Sequence, residues 1–203
     1  MTRLLLVRHG AVAREQQGRY WGKTDVPLSD EGRQQARALA ARLRREPIAT
    51  VYASDLCRAL DTAAAVAEAI GRPVAPCPEL REIDFGELEG LTFAEVTARY
   101  PGASFWSPTG PGYPGGESLA DLTERAAVFR RRLAEHADDE AVLVVAHGGS
   151  LIQLICLLLG LDPARWWQIR LDYASLTILE TYPEGAVLTL LNDTCHLDRS
   201  PSP

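Results

Sequence analysis

Nothing in this chain reads as long and apolar enough to cross a bilayer. Its most apolar stretch, residues 151–161, is interrupted by Gln153 and falls short of the ~20 residues a helical span needs. Met1-Thr2-Arg3-Leu4 leads straight into a strand-like run, without the longer apolar stretch and small-residue cleavage site of a signal peptide. Cysteine is sparse: Cys57, Cys77, Cys156 and Cys195 are scattered, with no Cys-x-x-Cys pair. Reduced thiols are expected rather than a disulfide framework, and with them a cytoplasmic location. Excess basic charge is lacking too. Lys and Arg total 21 against 27 Asp and Glu, a net charge of -6, so no global field draws nucleic acid or a membrane surface. An anionic ligand has to be captured by local arginines. Metal-ligand spacings of the His-x-His, His-Glu-x-x-His or Asp-x-Asp type are missing, and Gly112-Tyr113-Pro114-Gly115-Gly116 lacks the lysine of a Walker loop. Neither a metal nor another cofactor is expected.

What is present is a chain of 203 residues, 46% apolar, enough for one domain spanning 1–203 with an unstapled core. Strand candidates lie at 4–7, 50–53, 74–77, 142–146, 175–180 and 187–191, the last two joined by Tyr182-Pro183-Glu184-Gly185. Helical periodicity marks three segments. Ala36, Leu39, Ala40 and Leu43 follow the capping Ser29. Leu56, Leu60, Ala63, Ala67 and Ile70 end before Gly71. Leu119, Leu122, Ala126, Phe129 and Leu133 follow Glu117-Ser118. Residues 151–159 are apolar almost all round and read as a buried helix closed by Gly160. Strands alternating with helices predict an α/β fold of three α/β/α layers, with a mostly parallel central sheet and an antiparallel edge strand. Residues 81–116 interrupt the pattern with charged, aromatic, proline and glycine residues. They are expected to form a cap or lid.

Arg8-His9-Gly10 directly follows the apolar run Leu4-Leu5-Leu6-Val7, and Ala146-His147-Gly148-Gly149 follows Val142-Leu143-Val144-Val145. Ligands of open α/β sheets bind at strand ends, so the two histidines can share one crevice. The adjacent arginine makes phosphate the expected guest. Transfer of a phosphoryl group to a side chain needs a nucleophile, cations for the equatorial oxygens and an acid for the leaving oxygen. His9 is the nucleophile candidate. Arg58, in the first turn of a helix after Ser54-Asp55-Leu56-Cys57, is the second cation. Glu82 is an acid candidate, with Glu79, Asp84, Glu87 and Glu89 as chemically equal rivals.

Together these residues resemble the histidine phosphatase superfamily, the phosphoglycerate mutase-like fold, over nearly the whole chain. The resemblance rests on Arg8-His9-Gly10, on Ser54-Asp55-Leu56-Cys57-Arg58-Ala59 with Thr62, on Leu80-Arg81-Glu82-Ile83-Asp84-Phe85-Gly86 and on Ala146-His147-Gly148-Gly149. It implies a metal-independent phosphatase. Phosphate would sit among Arg8, Arg58 and His147, His9 would become a phosphohistidine, and Glu82, singled out from its rivals, would donate the proton. Further segments resemble the alpha-ribazole phosphatase branch of cobalamin synthesis. They are Gly18-Arg19-Tyr20-Trp21-Gly22, Asp25-Val26-Pro27-Leu28-Ser29, Gly115-Gly116-Glu117-Ser118 and Asn192-Asp193-Thr194-Cys195-His196-Leu197. The expected substrate is therefore alpha-ribazole 5′-phosphate, with Gly22, Trp21 and Trp106 among its contacts.

The chain departs from the family where a Ser or Thr, then an Asn, often help hold phosphate. Val12 and Glu15 stand there, and Glu15 is expected to turn away toward Arg14 or Arg19. Trp166 and Trp167, beside Leu161-Asp162-Pro163, are expected to pack; Trp21, Phe105 and Trp106 are candidates for lining a pocket. Competing readings are a broad sugar-phosphate phosphatase, a phosphoglycerate mutase and a non-catalytic phosphate-binding regulator. The partner expected is a small phosphate ester, with self-association into a homodimer left open.

Overall fold

The computed structural model describes residues 1–103, 105, 110–136 and 139–197, with the backbone alone at 14. Six strands form one sheet: β1 (Thr2–Arg8), β2 (Ile48–Ala53), β3 (Val74–Pro76), β4 (Ala141–Ala146), β5 (Leu176–Tyr182) and β6 (Gly185–Asp193). Their order is β3-β2-β4-β1-β5-β6. β1 to β4 pair in parallel, whereas β5 runs against both β1 and β6. The antiparallel element at the edge is thus the terminal hairpin, with β5 the reversed strand and β6 covering it.

Among the described residues there are five α-helices, α1 (Asp30–Leu43), α2 (Cys57–Ile70), α3 (Phe93–Arg99), α4 (Leu119–Leu133) and α5 (Gly148–Leu159), of which α1, α2, α4 and α5 pack on the sheet. The central strands show no polar alternation because both faces are covered. Leu5 and Val7 with Leu143 and Val145 point to one face, where Leu39 and Leu43 of α1 and Ala59, Ala63 and Val66 of α2 pack. Leu4 and Leu6 with Val142 and Val144 point to the other, against Phe129 and Leu133 of α4 and Leu151, Leu154 and Ile155 of α5. Each fully buried Leu or Val contributes about 1.5–3 kcal/mol relative to exposure. The helix ends follow the sequence. Ser29 accepts from the Gly32 amide, Ser118 from the Asp121 amide, and Gly71 and Gly160 close their helices in the left-handed conformation. All four cysteines are free.

Among its described residues, the stretch 81–116 holds one α-helix that periodicity does not announce. Helix α3 starts with a reciprocal capping box between Thr92 and Glu95 and buries only Val96. Ile83, Phe85, Leu88, Val96 and Tyr113 form a small apolar cluster of their own with Leu119 and Leu122 of α4. No helix among the described residues is long and apolar enough to cross a membrane.

Candidate active site

β1 and β4 are neighbouring parallel strands with Arg8 opposite Ala146, so the next residue of each strand is a histidine at the same sheet end. The His9 amide donates to the Ala146 carbonyl at 2.9 Å, and the rings of His9 and His147 lie 5.0 Å apart. His9 Nδ1 is 2.8 Å from the Gly10 carbonyl. A carbonyl only accepts, so Nδ1 carries the proton and Nε2 keeps its lone pair. Thr62, whose hydroxyl donates to the Arg58 carbonyl, receives the Gly10 amide at 3.0 Å. The turn after the nucleophile candidate is thereby tied to α2.

Arg58 is 1% exposed. Its Nε donates to His147 Nδ1 at 3.2 Å, and its two terminal nitrogens donate to Thr24 O at 2.9 Å and Gly22 O at 2.8 Å. Because His147 Nδ1 accepts, the neutral ring carries its proton on Nε2 and donates to Ser54 Oγ at 2.8 Å. His147 is fully buried, does not line the pocket below, and reaches it through Arg58. Arg8 stacks over the Tyr173 ring at 4.2 Å and donates to Leu171 O at 2.6 Å, while its buried Nε has no partner among the described residues.

Glu82 accepts from the Ile83 amide and from the Gly149 amide, each at 3.0 Å. Its rivals are engaged elsewhere: Glu79 with Arg132, Asp84 with Lys23, Glu87 with Arg99 and Tyr100. Glu89 takes backbone amides from Gly22, Lys23, Thr24 and Phe85. Of these carboxylates only Glu82 lines the cavity of about 170 Å³ that also holds Arg8, His9 and Arg58.

Gly22, an expected substrate contact, is not among the residues that line this cavity. Its amide is held by Glu89, its carbonyl by Arg58, and a Cβ there would fall 1.9 Å from the Ile83 carbonyl. It lets two loops touch and so shapes the seat of Arg58. Trp21 does line the cavity, with its indole NH donating to Gln16 O at 2.6 Å. Trp106 lies outside the described residues. Phe105 packs edge-on against Tyr100 in the small cluster, Trp166 is half-buried between two apolar clusters, and Trp167 is exposed. Val12 lines the cavity. Arg19 Nε donates to the Glu15 carbonyl, but its terminal nitrogen pairs with Gly90 O and with Glu95 rather than with the Glu15 carboxylate.

Tyr173 carries no sequence signal, yet its ring touches both Arg8 and His9 (5.5 Å). Ala174, at φ 53°, donates its amide to the carbonyls of Arg8 and His9. The end of β6 and the segment after it fix this loop. Asn192 exchanges hydrogen bonds with the amide and carboxylate of Asp172, and His196 Nε2 meets Ala174 O at 3.0 Å.

Burial, then the charges of Arg8 and Arg58, hold the His9 pKa well below 6.5; burial, then Arg58, does the same for His147. The folded state therefore binds fewer protons than the unfolded chain below that value. This stability contribution is complete above about pH 6.5 and is lost as pH falls below it toward the folded pKa values. Thermal melts should show Tm falling between pH 7.5 and 5.5, before most carboxylates titrate. A flat Tm over that interval would contradict the burial of two neutral imidazoles.

Among the described residues, no three His, Cys, Asp or Glu side chains converge as a metal site. The profile of the histidine phosphatase superfamily (branch 1) matches residues 4–194. Phosphoserine phosphatase 1 of Hydrogenobacter thermophilus is 35% identical over 201 residues, covering 97% of this chain and 95% of that protein. The glucosyl-3-phosphoglycerate phosphatase of Mycolicibacterium vanbaalenii is 38% identical over 180 residues, 82% of this chain and 78% of that one. Among solved structures, the alpha-ribazole phosphatase from Shigella flexneri superimposes with a TM-score of 0.86 at 30% identity, over 94% of this chain and 96% of its own. With its phosphoglycerate mutase-like α/β fold, the chain belongs to the histidine phosphatase superfamily and is a phosphatase of that superfamily.

Proposed function

We propose that the chain hydrolyses small phosphate monoesters through a phosphohistidine on His9, and that alpha-ribazole 5′-phosphate is its substrate. The observation that carries this reading is the His9 tautomer. Nδ1–H is spent on Gly10 O, which leaves Nε2 with a free lone pair, and His9 lines a cavity together with Arg8, Arg58 and Glu82. The dianionic phosphate is balanced by the two arginines, and the buried Arg8 Nε is a donor awaiting an acceptor. Nε2 forms the N–P bond as the ester P–O bond breaks, and the departing oxygen takes the proton of Glu82. Glu82, now a carboxylate, takes a proton from water. The water oxygen attacks phosphorus, and the N–P electrons return to Nε2. His147 holds Arg58 in place, and Ser54 fixes the His147 tautomer. Every step uses side chains of this chain, and none needs a metal.

The substrate assignment is supported by the rings of Tyr20, Trp21, Phe85 and Tyr173 around the cavity, and by the likeness to the Shigella flexneri enzyme. Stacking an aromatic base is worth about 1–3 kcal/mol, by analogy with single-stranded nucleic acid binding, or one to two powers of ten in selectivity. In the presence of EDTA, kcat/KM for alpha-ribazole 5′-phosphate should exceed that for ribose 5-phosphate and 3-phosphoglycerate at least tenfold. A preference for either of the latter two would end the cobalamin assignment. Loss of all turnover in EDTA, restored by a divalent ion, would end the metal-free mechanism.

A further inference from the structure

A second cavity, of about 300 Å³, lies against the first and shares Arg8, Glu82 and Phe85 with it as a common wall. Its remaining surface is mainly apolar, supplied by Leu119 and Leu122 of α4, Ile152 of α5, and Trp166 and Ile169 from the segment after α5. The polar groups beside it are occupied. Gln153 accepts from the Thr123 hydroxyl at 2.9 Å and donates to Pro163 O at 3.3 Å. Arg170 points to solvent and pairs with Asp172. Arg8 gives one terminal nitrogen to Leu171 O, and its unpartnered Nε is the donor assigned above to the phosphate.

We propose that this chamber receives the leaving group, and that the preferred substrates are phosphate monoesters carrying a bulky, uncharged, apolar moiety such as a fused aromatic ring. The inference rests on the reading that Glu82 protonates the ester oxygen. Glu82 stands in the wall between the two cavities, so atoms bonded to that oxygen continue past Glu82 into the apolar room. A leaving group bearing a carboxylate or ammonium would lose its hydration against the apolar wall, with Arg8 and Glu82 committed to the phosphate and the ester oxygen and Arg170 paired with Asp172 at the surface, which disfavours it. An apolar group gains in proportion to the area it removes from water. The volume is at the lower end of the range for small-ligand pockets, enough for one ring system. The fused-ring base of the substrate proposed above belongs to this class, and a charged amino-acid leaving group does not. Trp166 and the shared Phe85 then act together with the rings around the first cavity in setting the choice of leaving group.

The test uses three esters whose leaving alcohols are all alkyl, so that leaving-group acidity does not dominate: 2-(2-naphthyl)ethyl phosphate, ethyl phosphate and phosphoserine. The wild-type protein should favour the naphthyl ester over the other two by at least tenfold in kcat/KM. Ile169→Trp, which fills the chamber from its half-buried rim, should collapse the naphthyl-to-ethyl ratio toward one. If that variant melts early, Ile169→Ala replaces it and should lower the ratio three- to tenfold by removing contact surface. A wild-type preference for phosphoserine, or a ratio unmoved by both variants, overturns the proposal. Failure of all three esters to turn over would instead strike the catalytic reading. Calorimetric binding of 2-(2-naphthyl)ethylphosphonate against ethylphosphonate then decides the chamber alone. Tighter naphthyl binding that Ile169→Trp abolishes supports it, and equal affinities overturn it.

Discussion

His9→Ala should lose turnover and the covalent phosphoryl label together. Wild-type protein quenched during turnover of a labelled ester should carry acid-labile, base-stable phosphate, as an N–P bond on imidazole does. The variant should carry none. The loss of kcat should be on the order of 10^6-fold, comparable to removing the nucleophile of a hydrolase whose catalytic groups act as a unit. The size of the effect follows from the geometry. Gly10 O fixes the tautomer, so no other nitrogen of the ring can substitute, and His147 has its ring nitrogens engaged by Arg58 and Ser54. Label persisting in His9→Ala would move the nucleophile elsewhere and remove the main support of the proposed mechanism. A melt of the variant separates this from unfolding. A single buried substitution normally costs about 0.5–3 kcal/mol, which a domain of ordinary stability survives.

The sheet was legible because its strands are continuous apolar runs bounded by turn residues, and the long helices because their apolar stripes repeat. The meeting of His9 and His147 follows from two strand ends, and the Arg8–Ala146 register makes it definite. Helix α3 escaped because one buried residue, Val96, makes no stripe; the Thr92-x-x-Glu95 capping pattern was the only signal for it. Glu82 and Glu89 are both carboxylates in one charged, aromatic segment, and residue chemistry alone does not rank them. What separates them is the approach of residues 22–24, whose amides surround Glu89 and leave Glu82 to the cavity. Tyr173 was invisible for a related reason. Its position depends on the left-handed turn at Ala174 and on Asn192 and His196 from the far end of the chain. A long-range contact of that kind leaves no local pattern. The segment Asn192-Asp193-Thr194-Cys195-His196-Leu197 carries a family resemblance, while its hold on the Tyr173 loop depends on contacts with Asp172 and Ala174 about twenty residues away.

Gly149→Ala should leave the fold intact and cripple the acid step. The residue lies in the first turn of α5, where alanine is the better helix former by up to about 1 kcal/mol. Tm should therefore hold or rise. A Cβ at this position, however, falls 2.4 Å from Glu82 Oε1 and 3.3 Å from its Cδ. The carboxylate is the far end of a flexible side chain, so it moves rather than the backbone, and it leaves the amide that now holds it at 3.0 Å. A displaced acid costs the 10²–10⁴-fold typical of general acid catalysis, by order of magnitude, when the leaving group is an alkoxide. The cost should be far smaller for p-nitrophenyl phosphate, whose leaving group hardly needs the proton. Glu82→Gln should show the same split in single-turnover rates of phosphohistidine formation, and the double variant should be no slower than Glu82→Gln alone, because both changes remove one function. Equal losses on the two substrates would argue that Gly149 acts on phosphate binding instead. Losses that add in the double variant would break the link between the Gly149 amide and Glu82.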